Sequence, residues 1–227
     1  MTTPLAACKA FIFDAYGTLF DFGSAVARCA DIPDNKRNEL ITIWRDKQLQ
    51  YTWLRSLQKN YVNFEQVTAD ALDFALEATG LTDTARRQNL LDLYQTLSAY
   101  PEIPGTLAAL KTKNITTAIL SNGTPAMLKA AIDHSGIGLL IDHVLSVENV
   151  GIFKPAPEVY QLAVDTIGVR RDQICFISSN GWDAYSAAAF GFQVIWCNRS
   201  GQPAERLPGS PTIIMKNLSD ILALTEP

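Results

Sequence analysis

Phe11-Ile-Phe-Asp-Ala-Tyr-Gly-Thr18 is an apolar run that ends by carrying one carboxylate, Asp14, into a glycine-containing turn. A run of apolar residues with no polar alternation reads as a strand buried on both faces, and the spacing predicts that strand over residues 8–13. In open α/β sheets ligands bind beyond the carboxyl ends of the strands, so an acid in the last position of a first strand stands where chemistry is done. An aspartate there can also simply cap a turn, and the rest of the chain decides between the two.

After this strand, residues 20–98 are poor in strand signals. Their apolar residues recur at helical spacing through Leu40, Ile43, Trp44, Tyr51 and Leu54, then Phe64, Val67, Leu72, Phe74 and Leu76, then Leu90, Leu91, Leu93 and Leu97. Breaks at Ile32-Pro33-Asp34, Lys59-Asn60, Thr79-Gly80 and Tyr100-Pro101 divide the stretch into about four helices, enough to share a buried seam. From Pro101 strand and helix alternate. Strands are expected at Ile115 to Leu120, His143 to Val147, Ile174 to Ser178, Val194 to Cys197 and Thr212 to Met215, with helices from Thr124, from Ala156 and near Trp182 to Phe190. Such alternation predicts an α/β fold, a Rossmann-like parallel sheet with crossover helices. The first strand then pairs with strands more than 90 residues later. The helical block is therefore an insertion, giving a core of residues 1–19 and 99–227, a helical-bundle cap of residues 20–98, and a cleft between them.

Composition narrows the partners. The chain has 227 residues, 48% hydrophobic and 19% charged, with a net charge of -4 and no block of Lys and Arg; nothing resembles a basic stripe, and no nucleic-acid partner is expected. Four cysteines, Cys8, Cys29, Cys175 and Cys197, lie far apart without a Cys-x-x-Cys pair, which argues against a zinc site or a disulfide framework. The first ten residues lack a charged region followed by a long apolar stretch, and no run approaches the roughly 18 apolar residues of a membrane helix. A reducing, cytoplasmic setting without membrane attachment is expected. His134 and His143, the two histidines, read as helix-end or loop residues.

Four polar segments end strands at one rim of the sheet: Asp14 to Thr18, Ser121-Asn122-Gly123, Phe153-Lys154-Pro155, and Ser178-Ser-Asn-Gly-Trp-Asp183. Each is a weak signal, since Ser, Asn and Gly are also common turn formers; their convergence marks a site.

The segment Asp14-Ala-Tyr-Gly-Thr-Leu-Phe20 resembles the first motif of the haloacid dehalogenase superfamily. Trp44-Arg45 through Leu57, Tyr61-Val-Asn-Phe64, Leu120-Ser-Asn-Gly123, Phe153-Lys-Pro155, Val159-Tyr160 and Ser178 to Asp183 are similar to the L-2-haloacid dehalogenases of that superfamily. The resemblance spans nearly the whole chain, the helical block included, and implies a Rossmann-like core, a helical cap and, commonly, a homodimer. Most of the superfamily resembles magnesium-dependent phosphatases, with a second acid two residues after the nucleophile. Here Tyr16 holds that position, so no acid is placed to protonate an alkoxide leaving group. The last motif offers Ser178, Ser179 and Asn180 before Asp183, few anionic oxygens for Mg²⁺. No metal and no cofactor are expected.

A halide leaves as a stable anion and needs no proton. The resemblance implies that Asp14 attacks the halogen-bearing carbon of a 2-haloalkanoic acid, inverting it and forming an ester that water then hydrolyses, so that an L-2-haloacid gives a D-2-hydroxy acid. An anionic substrate near an anionic nucleophile is repelled by about 4 kcal/mol at 4 Å and an effective dielectric of 20, so cations must offset that. Lys154 on the core and Arg45 on the cap are the candidates. By the same resemblance Arg45, Asn122 and Phe64 cradle the halide. Thr18, Ser121 and turn amides take the substrate carboxylate, while Asn180 and Asp183 place the water. Lys154 and Ser178 orient Asp183 or the nucleophile. Tyr160 belongs either to this network or to the packing beneath it. Tyr16, Leu49, Phe64 and Trp182 line the substrate pocket, and Trp44 and Trp53 pack the cap. Two rival functions remain for such a chain: a magnesium-dependent phosphomonoesterase, and a binding module that has lost catalysis.

Overall fold

Ala10–Phe13 (β1) is buried at every residue because it lies between two other strands in the middle of a sheet. The structure, a computed structural model, describes Leu5 and residues 8–224; residues 1–4, 6 and 7, most of the amino-terminal stretch read above, lie outside the described residues. The remaining strands are Thr116–Ser121 (β2), His143–Ser146 (β3), Ile174–Ser178 (β4), Gln193–Cys197 (β5) and Ile213–Met215 (β6), all parallel, in the order β3-β2-β1-β4-β5-β6. β1 runs in register with β2, Ala10 opposite Thr116 and Phe13 opposite Ile119, and with β4, Ala10 opposite Ile174 and Phe13 opposite Ile177. The direction of winding reverses between β1 and β4, which makes the crevice beyond their carboxyl ends the natural ligand site of the sheet. Asp14 lies at the end of one of these strands and Ser178 at the end of the other.

Among the described residues, eight α-helices accompany the sheet. Gly23–Arg28 (α1), Asp34–Leu57 (α2), Phe64–Thr79 (α3) and Thr84–Gln95 (α4) fall between β1 and β2, as the periodicity predicts. Ile103–Thr112 (α5), Pro125–Ser135 (α6), Pro157–Ile167 (α7) and Gly181–Phe190 (α8) are associated with the strands; α5 and α7 pack on β2, α6 on β3, and α8 on β4 and β5. No helix is among the expected elements between Tyr100-Pro101 and the strand from Ile115, yet α5 forms there, with Pro104 in its first turn, where the missing N–H costs nothing. Two positions taken for apolar packing, Leu54 and Phe74, are exposed at 45% and 40%. The helical stripe is narrower than the list of apolar residues implied.

α2, about 36 Å long at 1.5 Å per residue, lies along α3 and buries Leu40, Trp44, Gln48 and Thr52 on one stripe. Starting caps come from Asn63, which accepts from Gln66 N–H, and Asp83, which accepts from Arg86 N–H. The two linkers that join this helical segment to the sheet run side by side: Tyr100 N–H donates to the Leu19 carbonyl at 2.9 Å, and Asp21 N–H to the Ser98 carbonyl at 2.8 Å. Arg199 fastens them, with its guanidinium 3.7 Å above the Tyr100 ring, paired to Glu102 at 2.7 Å and donating to the Thr18 carbonyl at 2.9 Å. An aromatic cluster of Tyr16, Phe22, Trp44, Phe64 and Tyr94, with centroids 5.3–5.6 Å apart, packs the helices down onto the turn after β1.

Candidate active site

Asp14 extends β1 by donating its N–H to the Ile177 carbonyl at 2.8 Å, so the sheet itself fixes where the carboxylate projects. Gly17 then turns the chain with φ +87°, a left-handed conformation that suits glycine. The turn brings Thr18 back to donate its hydroxyl to Asp14 Oδ2 at 3.1 Å. Asn180 Nδ2, at the start of α8, donates to the same oxygen at 2.8 Å, and the Ser178 hydroxyl lies at 3.5 Å. Asp14 Oδ1 accepts a single bond, from Lys154 Nζ at 3.1 Å, and keeps the freer lone pairs.

Lys154 is 1% exposed and bridges two carboxylates, Asp14 at 3.1 Å and Asp183 Oδ2 at 3.0 Å. Burial alone would lower the pKa of this ammonium, but the two carboxylates more than reverse that, and it lies above the ordinary lysine value. Burial pushes the Asp183 carboxyl upward; Lys154 opposes the shift and the Asp14 charge adds to it. The Tyr160 hydroxyl donates to Asp183 Oδ1 at 2.7 Å and, held by burial and that carboxylate, has a pKa well above 10. Tyr160 therefore belongs to the network.

Arg45 reaches the core from α2. Its Nη2 donates to Asn180 Oδ1 at 3.2 Å and to the Tyr16 carbonyl at 3.4 Å, its Nη1 donates to Gln48 Oε1 at 2.7 Å, and its guanidinium carbon lies 5.4 Å from the centroid of the Phe22 ring. Asn180 is thus held between the α2 arginine and the carboxylate of Asp14. Asn122 Oδ1 accepts the Lys154 main-chain N–H at 3.0 Å, leaving its NH₂ as the free end. Ser121 turns its hydroxyl oxygen back to accept Gly123 N–H at 3.1 Å. Gly123 allows the Tyr16 ring to lie against this turn, since a Cβ there would sit 2.7 Å from the phenol oxygen. Among the described residues that buried hydroxyl has no partner, and burial raises its pKa well above 10.

Of the expected site residues, the structure joins Asp14, Thr18, Arg45, Lys154, Tyr160, Ser178, Asn180 and Asp183 directly and Asn122 through the Lys154 backbone. Phe64 stacks on Tyr16 at 5.6 Å and approaches Phe153 at 6.2 Å, while Leu49 is half-buried on α2. Thr18 needs a different role from carboxylate binding: its hydroxyl already donates to Asp14 and accepts Ser179 N–H at 2.8 Å. Trp44 packs the helical segment as expected, fully buried with its indole N–H on the Thr68 carbonyl at 2.9 Å. Trp53 does not: it stands edge-on to Trp182 at 5.4 Å, bridging α2 and α8 beside a groove of about 490 Å³. Gln48, Thr68 and Tyr94 were missed, and the one signal for Gln48 was a long polar residue four places from Trp44 and from Thr52 on the same helical stripe.

A family model for haloacid dehalogenase-like hydrolases matches residues 8–191. The chain belongs to that family. Among these hydrolases it is 43% identical to an (S)-2-haloacid dehalogenase of Pseudomonas sp. (strain YL) over 96% of this chain and 94% of that one. A crystal structure described as a dehalogenase is 40% identical and superposes with a TM-score of 0.94, covering 97% of this chain and 98% of that one. The L-2-haloacid dehalogenase of Xanthobacter autotrophicus, solved with chloropropionic acid covalently bound, is 33% identical with a TM-score of 0.89, covering 96% of this chain and 98% of that one. Among the described residues no helix is long and apolar enough to cross a membrane.

Proposed function

We propose that this hydrolase converts short-chain L-2-haloacids to D-2-hydroxy acids with inversion, through an ester on Asp14 and without a metal. The observation that carries the reading is the Lys154 ammonium held between Asp14 and Asp183, at 3.1 and 3.0 Å, together with Tyr16 rather than an acid two residues after Asp14. Among the described residues no group of three His, Cys, Asp or Glu side chains is arranged to hold a metal ion. The covalent chloropropionate in the Xanthobacter autotrophicus relative supports the same chemistry.

In this mechanism Asp14 Oδ1 attacks the carbon bearing the halogen from the side opposite the leaving group. The new C–O bond forms as the carbon–halogen bond breaks, and the halide departs toward Arg45 and the NH₂ of Asn122, with Phe64 as the apolar wall. Tyr16 and Ser121 offer hydroxyl protons to the substrate carboxylate, while Thr18, Ser178 and Asn180 hold Oδ2 still. Leu49 and Trp182 exclude water during alkylation. Water then adds to the Asp14 carboxyl carbon and gives its proton to Asp183, whose upward-shifted carboxyl suits it as a base. As the tetrahedral intermediate collapses, the bond from that carbon to the ester oxygen breaks and the departing alkoxide takes the proton back from Asp183. Asp14 is regenerated with the water oxygen and loses its remaining proton to solvent. The hydroxy acid leaves with an oxygen that began on Asp14. Residues 20–98 act as the cap domain and residues 1–19 with 99–227 as the core domain, a division supported by the paired linkers at Leu19–Tyr100 and Asp21–Ser98. The resemblance further implies a homodimer, a state that light scattering checks, and the cytoplasmic setting expected from the sequence belongs to the same proposal.

The test is halide release from L-2-chloropropionate by purified protein in the presence of a chelator, with mass spectrometry of the Asp14 peptide from quenched turnover. Release with a transient propionate-sized mass increase on that peptide is expected. Hydrolysis of phosphate monoesters that requires Mg²⁺, with no halide release, would overturn the reading in favour of a phosphatase; neither activity would favour a binding module.

A further inference from the structure

The cap arginine is held entirely by neutral groups. Arg45 bonds to an amide oxygen of Gln48, an amide oxygen of Asn180 and a main-chain carbonyl, and lies near the Phe22 ring. Arg37, Arg55, Arg86, Arg87, Arg170 and Arg199 have a carboxylate partner. Among the described residues Arg45 has no ion pair, and it differs from Arg28, Arg171 and Arg206, which also lack one, in being half-buried beside Asn180 and Tyr16 rather than exposed to solvent. Its charge is therefore not spent within the protein.

The shortest of these contacts is the 2.7 Å bond to Gln48, a residue with no exposed surface. The amide orientation follows from its partners. A guanidinium only donates, so the Gln48 oxygen faces Arg45. On the other side Nε2 donates to Thr68 Oγ1 at 2.8 Å and to the Tyr94 hydroxyl at 3.2 Å. Thr68 gives its own proton to the Phe64 carbonyl at 2.7 Å, so its oxygen accepts from Gln48. A buried amide on a helical stripe of Leu40, Trp44 and Thr52 is costly unless every hydrogen-bonding atom is used, and here both its oxygen and its nitrogen are.

We infer that Gln48 is the positioning residue for Arg45, fixing the guanidinium over the site through a neutral oxygen so that its full charge remains for the departing halide. The inference rests on the function proposed above. A carboxylate of the same length would hold Arg45 equally well but would neutralise it, so the choice of amide over acid is what leaves the anion site charged.

Two variants and two readouts test this. Gln48→Glu keeps the shape, and the Thr68 and Tyr94 hydroxyls can turn their protons toward the new carboxylate. It is expected to slow alkylation, read as ester formation on Asp14 in single-turnover quench, by about tenfold to a hundredfold, the worth of one charge-assisted hydrogen bond. Inhibition by added bromide should weaken by a similar factor, while hydrolysis of the preformed ester stays near the wild-type rate. Gln48→Met, apolar and of similar volume, should also slow alkylation by leaving Arg45 unaimed, and serves alone if the first variant does not fold. A general structural role would instead depress alkylation and ester hydrolysis together. That result, or wild-type alkylation and bromide inhibition in a folded Gln48→Glu or Gln48→Met protein, overturns the inference. Wild-type protein that forms no ester on Asp14 overturns the function proposed above, and this inference falls with it.

Discussion

Removing Lys154 should unfold more of the protein than removing any other single charge. In Lys154→Met the buried carboxylates of Asp14 and Asp183 lose the ammonium that sits 3.1 and 3.0 Å from them. At an effective dielectric of 20 each contact is worth about 5 kcal/mol of attraction, set against several kcal/mol spent desolvating each ion. Breaking a buried pair by removing one partner costs about 3–5 kcal/mol, and two carboxylates are stranded here, so the loss at pH 7.5 should lie near ~5 kcal/mol. The pH dependence gives the reasoning its sign. In the wild type the Lys154 pKa lies above its ordinary value, so the ammonium persists through neutral and acid pH. Its contribution is lost at the alkaline end only in strong alkali, while at the acid end it lasts as long as the carboxylates stay ionised. Asp183 already has a raised pKa, and without Lys154 it rises further. Proton uptake then relieves the stranded charge in the variant, whereas in the wild type it would sacrifice an ammonium contact. The deficit should therefore narrow as pH falls from 7.5 to 5. Urea unfolding followed by circular dichroism at several pH values measures both quantities. A loss under 2 kcal/mol at pH 7.5, or one that is equally large at pH 5, would refute the account of Lys154 as the clamp between two ionised carboxylates.

Other substitutions separate the two chemical steps. Asp14→Asn should lower halide release by about four orders of magnitude or more, as loss of a covalent nucleophile does, and should leave no adduct in the mass spectrum. Arg45→Ala should slow ester formation by about a hundredfold with hydrolysis of the ester little changed, whereas Asp183→Ala should let the ester accumulate; quench-flow mass spectrometry distinguishes the two patterns. A single turnover in ¹⁸O-labelled water should yield unlabelled hydroxy acid and label on the Asp14 peptide, and label in that first product would mean direct attack by water.

Much of this was legible in the chain because buried parallel strands announce themselves as unbroken apolar runs, and because strand ends converge wherever the connections are right-handed crossovers. Asp14, Lys154, Asn180 and Asp183 are thus placed at one rim by the sequence pattern alone. The order β3-β2-β1-β4-β5-β6 is not, since pairing of β1 with β2 and β4 depends on long-range packing rather than on any local pattern. α5 was not expected, although Pro104 in its first turn is a helix-start signal. Periodicity also placed Leu54 and Phe74 inside, although a helix lying on one neighbour needs only a narrow stripe. Within the site, the type of residue showed which groups can react but not how their lone pairs are allotted. Thr18 reads as a free hydroxyl in the sequence and is fully engaged in the fold, and Gln48 is unremarkable until its burial and its partner Arg45 are seen.

The Asn122 side chain is steered by the polypeptide rather than by another side chain. Its oxygen is occupied by the main-chain N–H of Lys154, a donor that survives nearly every replacement at position 154. Which end of that amide greets an incoming group is therefore built into the path of the chain. An anion arriving at that amide meets its hydrogens rather than its oxygen, and drift among the surrounding residues can alter the size of the chamber without turning the amide round.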